Sequence, residues 1–264
     1  MLMQLHGLLD ALPLWVLFVA TLVVALLSFE GGFRVGRRGS RRQEQEQEIV
    51  VRGLVGGMLG LLAFMLAFTF GVATSHFDAR RQVLLDEANT IRTAYLRAGL
   101  LPDPHRAEIR NLLREYVDVR LEGVRSGKIE QGIARSEELH GQLWLQADAS
   151  REKTPSPAFA VQFIQSLNEI IALHTRRVIA GLEFRIPNII WIVLYAIMAL
   201  AAASIGYHTG LTGTSRPLVV LAFILAFSAV IFLIEDLDRP LNGLLEVSQR
   251  ALVDLQRTMI APLR

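Results

Sequence analysis

Residues 53–75 read GLVGGMLGLLAFMLAFTFGVATS, 23 residues without a single charge. At about 1.5 Å rise per residue, such a run crosses a hydrocarbon core roughly 30 Å thick as one helix. Positions 53, 57, 60, 64, 68, 71 and 75 follow at steps of three or four, so they share one helical face, which reads Gly, Gly, Gly, Phe, Phe, Gly, Ser. Gly53/Gly57 and Gly56/Gly60 are two overlapping GxxxG pairs, the pattern that lets helix backbones approach closely in lipid. Two uses of this face stand open. The glycines pack helices inside one subunit, or they line the axis of a symmetric assembly, with Phe64 and Phe68 as an apolar constriction.

Upstream, residues 12–29 form an apolar run with Trp15 near its start, where an interfacial aromatic sits. No basic residue precedes the run and no small-residue cleavage site follows it, so it reads as a first span rather than a signal peptide. Residues 30–52 carry Arg34, Arg37, Arg38, Arg41, Arg42 and Arg52 and a Glu/Gln tail. They are expected to form a charged loop that signals topology rather than a patch for anionic lipid.

Downstream, nothing in Phe77–Ala98 breaks a helix, so the second span should continue outward without interruption. Gly99-Leu-Leu-Pro-Asp-Pro is a stop and restart, with Asp103 as cap and Pro104 at the first helical position. Ile109, Leu112, Leu113, Tyr116, Val117, Leu121 and Val124 then recur at helical spacing up to Ser126-Gly127. A weaker helix over 129–149 has Trp144 as its large apolar anchor. Thr154-Pro-Ser-Pro starts another, capped by Ser156, with a stripe that includes Ala160, Phe163, Leu167, Ile170, His174, Val178 and Leu182. A third span covers 186–207, a polar turn 208–216, and a fourth span 217–234; an amphipathic helix over 241–259 follows.

The expectation is an all-α membrane protein in four parts. Residues 1–75 hold two spans and the basic loop, 76–185 an extramembrane helical region, 186–234 two further spans, and 235–264 an acidic segment with the last helix. A hydrophobic share of 52% suits a multi-pass protein in a lipid bilayer, and a net charge of +2 does not suggest a nucleic-acid partner. With no cysteine there is no disulfide, thiolate nucleophile or Cys-ligated metal. HExxH, a phosphate-cradling glycine loop and GxSxG are all missing, so no enzyme and no cofactor is expected. His174 reads as a packed histidine, and Asp86 and Glu87 as partners for nearby arginines. Glu235, Asp236 and Asp238 stand within four residues and could take a hard cation, but without calcium-loop spacing they equally cap the next helix or pair with Arg239, and no metal is assigned. Arg80 and Arg81, just past the second span, are candidates for drawing anions to a pore mouth. Arginines flank span ends on both sides, so charge does not assign the side of residues 76–185.

LGLLAFMLAFTF (59–70), DEANTIRTAYLRAGLLP (86–102), LLREYVDVRL (112–121), RIPNIIW (185–191) and DLDRPLNG (236–243) together resemble the bestrophin-like family of bacterial membrane proteins, over nearly the whole chain from about residue 50. The family's name implies a remote likeness to bestrophins, which are pentameric anion channels. That likeness implies a second span lining the pore, with Phe64 and Phe68 as neck residues and Gly60 or Val72 as the third. It matches Glu235, Asp236 and Asp238 to an acidic segment after the last span. The chain departs in lacking a clear Asn-Pro-Phe-Gly stretch after these acids and in its far more basic first loop, which argues against calcium activation. The implied function is a homo-oligomeric, pentameric, anion-permeable pore of a bacterial inner membrane. Its rival is a non-conducting scaffold or signalling protein whose residues 76–185 hold a partner.

Overall fold

Each long apolar run folds as a helix, because in lipid only a helix satisfies its own backbone polar groups. The computed structural model describes residues 13–39, 45–151, 157–213, 217–240 and 243–260. Among these residues there are eight helices: α1 (Leu14–Gly39), α2 (Gln45–Ala98), α3 (His105–Ser126), α4 (Ile129–Arg151), α5 (Pro157–Leu182), α6 (Asn188–Thr212), α7 (Pro217–Asp238) and α8 (Arg250–Ile260). Four of them, α1, α2, α6 and α7, are long and apolar enough to cross a membrane. The chain divides into two compact units, one of residues up to Phe77 with Arg185–Glu246, the other of Asp78–Phe184 with the residues from Val247 on.

In the first unit α1 packs along α6 and α7. Its core gathers Ala25, Leu62, Leu66, Ala73, Trp191, Leu194, Met198, Ile224, Ile231 and Ile234. The α1–α6 contact is made backbone to backbone. A Cβ on Gly32 would lie 2.7 Å from the Ala203 carbonyl carbon, and one on Gly206 would lie 2.9 Å from that of Phe29. Gly36 and Gly210 meet the facing helix just as closely. The close-packing GxxxG pairs within this chain are therefore Gly32/Gly36 and Gly206/Gly210, which the sequence reading did not single out.

This contact also moves two boundaries. Residues 30–39, expected in a loop, continue α1, held by the α6 packing and by an Arg34–Glu30 ion pair of 2.8 Å at i, i+4 spacing. By the same contact α6 runs past Tyr207 to Thr212, where Gly213 ends it at φ +66°. The helix formers Gln and Glu likewise let α2 begin at Gln45.

In the second unit the core is built by Ile91, Tyr95, Ile109, Leu113, Tyr116, Leu139, Leu143, Phe163, Leu167, Leu252 and Leu255. As expected, α2 runs without a break through Phe77–Ala98. Gly127 closes α3 in the left-handed conformation, φ +71°. Three expectations are corrected. Asp103 does not cap α3: the helix begins at His105 after Pro104, and the Asp103 carboxylate binds the Arg106 side chain instead. Trp144 is 43% exposed, and Leu139, Leu143 and Ala147 anchor α4 in its place. The last helix starts at Arg250, because Asp236 accepts the Leu244 and Leu245 N–H groups and keeps that stretch out of a helix. Leu182 is exposed, at the end of its stripe. Arg41, Arg42, Ser156, Arg216 and Leu241 lie outside the described residues.

Candidate functional site

Helix α2 buries one side and leaves the other open. Leu62, Leu66, Thr69 and Ala73 face the core at steps of three or four. On the opposite side Gly53, Gly56, Gly57 and Gly60 are exposed, and a Cβ at any of them would meet nothing within 4 Å. These glycines therefore have no packing use inside this chain among the described residues. Phe64 is 64% exposed and Phe68 56% exposed, one turn apart on the same face, followed by exposed Gly71 and Ser75. Val72, one turn on from Phe68, is partly buried and packs against the first unit's core. The face is thus smooth, apolar and unaccompanied over the length of a membrane crossing.

The two arginines just beyond the run separate. Arg80 is buried at 7% exposure, whereas Arg81 is exposed. At helical spacing from Phe64 and Phe68, the next positions along α2 are Asp78, Gln82 and Asp86. Asp78 and Gln82 are exposed, and Asp86 accepts a 2.9 Å hydrogen bond from Gln82 rather than pairing with an arginine.

The acidic segment ending α7 is buried, and each of its carboxylates accepts from a protein donor, Glu235 through Oε1 alone. Glu235 accepts from the Tyr195 hydroxyl at 2.8 Å, and that hydroxyl also meets Thr21 at 2.8 Å, joining α7, α6 and α1. Asp236 takes the Leu245 N–H at 3.0 Å along with that of Leu244. Asp238 takes the Ile186 N–H at 2.9 Å and stands 3.7 Å from Arg185. These acids diverge to three separate jobs, tying the entry of α6 and the chain after α7 to the helix ends. Among the described residues no group of three or more His, Asp or Glu is arranged to hold a metal ion.

A polar cluster that the sequence reading did not assemble lies in the core of the second unit. Glu87 of α2 has no exposed surface. It accepts from the Tyr116 hydroxyl at 2.7 Å and from Arg177 at 2.6 Å, with Arg120 Nε 3.4 Å away. Beside it the rings of His140 and His174 stand edge to face, 4.9 Å apart, and His140 lies 5.0 Å from the Tyr116 ring. Burial alone would raise the Glu87 carboxyl, but Arg177 and Arg120 hold it at about 2. Burial lowers both histidines to about 4, with Arg120 acting in the same direction. Burial and then Glu87 push the Tyr116 phenol well above its ordinary range. The pairing of Glu87 and the packing of His174 were legible from the sequence. Their convergence was not, because Glu87, Tyr116, His140 and His174 come from four helices and share no local spacing.

A family model described as Bestrophin-like domain matches residues 14–252. The fold is also similar to two solved structures, each at a TM-score of 0.67 with 94% of this chain and 97% of the other covered. One is a bacterial bestrophin homolog from Klebsiella pneumoniae carrying a leucine-to-threonine mutation, 13% identical. The other is described as a membrane protein with a proline-to-alanine change, 12% identical. At these identities the likeness is one of fold. No curated protein matches the sequence.

Proposed function

The chain belongs to the Bestrophin-like family, and on that premise we propose that it forms a homo-oligomeric ion-conducting pore, with the open face of α2 lining the symmetry axis. The observation that carries this reading is the contrast between the two sides of one helix. Gly53, Gly56, Gly57, Gly60, Phe64 and Phe68 are uncovered while Leu62, Leu66 and Ala73 are buried. In lipid, small residues on an open face favour close approach of another helix, and a second copy of this chain supplies one. Phe64 and Phe68 are then the neck, a ring of apolar side chains that gates by dewetting. Gly60 is the third neck position in preference to Val72, which leans into the core. A pentamer in a bacterial inner membrane is the assembly that the family's likeness to bestrophins favours.

The permeant ion has two readings. Anion permeability follows the resemblance to bestrophins and leaves Arg81 as the residue that draws anions, since Arg80 is buried. Cation permeability is favoured by Asp78, which is exposed at helical spacing from the phenylalanines. Glu235, Asp236 and Asp238 are structural ties in either case. Purified protein in liposomes under a salt gradient tests the proposal. A conductance whose reversal potential sits toward one ion's equilibrium value supports a pore and names the ion. A stable oligomer that passes neither anions nor cations sinks the pore and leaves the scaffold reading, in which residues 76–185 hold a partner.

A further inference from the structure

The Glu87 cluster carries more positive than negative charge, with two guanidiniums, of Arg120 and Arg177, against one carboxylate. Arg177 retains 15% of its side-chain exposure, but Arg120 is buried at 8%, and its Nε–H reaches no acceptor. The 3.4 Å approach to Glu87 is an ion pair without hydrogen-bond geometry. The Tyr116 hydroxyl commits its only proton to Glu87. Its long 3.4 Å contact with His174 Nδ1 must therefore have the imidazole N–H donating to the phenol oxygen. In neutral His174 this leaves Nε2 as a bare lone pair, buried and without a partner. His140 Nε2 is buried without a partner as well. An unmet donor, an unmet lone pair and a surplus charge in one core are costly together.

We propose that this cluster binds a small monovalent anion of halide or nitrate type, taken up together with one proton on His174. The proton turns Nε2 from a lone pair into a second donor. The anion then receives the Arg120 Nε–H and the His174 Nε2–H and balances the proton taken up with it, so ion and proton together add no net charge to the core. The groups facing His174 are Glu87 from α2, Tyr116 and Arg120 from α3, His140 from α4, and Arg177 on its own helix. Of these Arg120, Arg177 and His140 oppose the proton while Glu87 favours it, which makes protonation depend on the anion's arrival. Burial holds His174 at about 4 without an anion, so affinity increases as pH falls. A water molecule meets the same hydrogen bonds with His174 neutral, and so gives neither a halide effect nor its pH dependence. The inference does not depend on conduction.

The test uses the full chain in detergent micelles, with thermal unfolding followed in sodium bromide and in sodium gluconate at equal ionic strength. Bromide is expected to raise Tm saturably, with an apparent affinity that increases by up to about tenfold per unit of pH decrease. His174→Gln, which cannot take up a charge, should abolish that pH dependence, and Arg120→Met the bromide effect itself. Crystals grown in bromide at acid pH should show an anomalous peak at hydrogen-bond distance from Arg120 Nε. That measurement on the unmodified chain decides the matter if Arg120→Met does not fold. Density for water alone with no anomalous peak, or a bromide shift unchanged in His174→Gln, overturns the proposal.

Discussion

Among the described residues Glu87 is the only carboxylate seen to pair with the buried guanidinium of Arg120 and the partly buried one of Arg177, so its removal strands two charges rather than breaking one bond. Glu87→Gln keeps the shape and loses the charge. Chemical unfolding of the full chain should report a loss of about 3–5 kcal/mol, the usual cost of an uncompensated buried ion. A stability within error of the parent's would show that water already screens the pair. The two histidines set a pH window. Folded, they stay neutral down to about 4; unfolded, they protonate near 6.5. Between these values the unfolded chain holds more protons on these two rings, so the stability they contribute is full above 6.5 and declines as pH falls toward 4. The slope reaches about 1.4 kcal/mol per pH unit for each histidine. Glu87, held at about 2 against 4.5, adds a further loss from 4.5 down to about 2. Unfolding midpoints recorded in gluconate across the range should fall accordingly, and His140→Phe should flatten the upper part of the curve.

Helix boundaries record which local signals a tertiary contact overrides. The run of arginines and glycines at 31–39 carries every mark of a loop, yet it is helical because Gly32 and Gly36 fit against Ala203 and Tyr207 of α6. Periodicity within one segment made the glycine–phenylalanine face of α2 and the core faces of α3 and α5 readable, because those residues repeat at 3.6 along a single helix. It could not say which glycine pair meets a partner in the same chain, since GxxxG reads alike whether the neighbour is another helix of the subunit, a second copy or lipid. The acid cluster behaved similarly: spacing brought Glu235, Asp236 and Asp238 together, but only the fold shows that Tyr195, Leu244, Leu245 and Ile186 occupy them. The two classes of glycine separate by experiment. Gly206→Leu drives a side chain into the backbone of α1 and should abolish stable folding, read as loss of a cooperative unfolding transition. At Gly57 a Cβ meets nothing within 4 Å among the described residues, so with Gly57→Leu the transition should remain while the oligomer weakens, read as a fall in native mass. Equal effects from both would remove the assignment of the open glycines to contact between copies.

An assembly of this chain must do something with the long apolar face of α2, because a face carrying glycines offers lipid tails little to pack on and a second helix much. Symmetry repeats whatever that face carries. In the proposed oligomer one Phe64 and one Phe68 per subunit become two stacked rings, and their diameter, set by the number of copies, decides whether water stays in the neck. If those rings close the pore, Phe64→Ala and Phe68→Ala should raise ion flux in liposomes without altering the oligomer's mass, and the double change should raise it further. Exchanging both for leucine keeps the neck apolar and should leave it closed at rest. Flux that stays at the parent's level in the alanine variants, with the oligomer intact, would put these phenylalanines against lipid, and the axis would then have to be lined by another helix. The charge beside the neck makes an independent prediction on the same preparation. Asp78→Asn should shift the reversal potential toward that of the anion, and Arg81→Gln toward that of the cation. The larger of the two shifts identifies which side chain the passing ion meets.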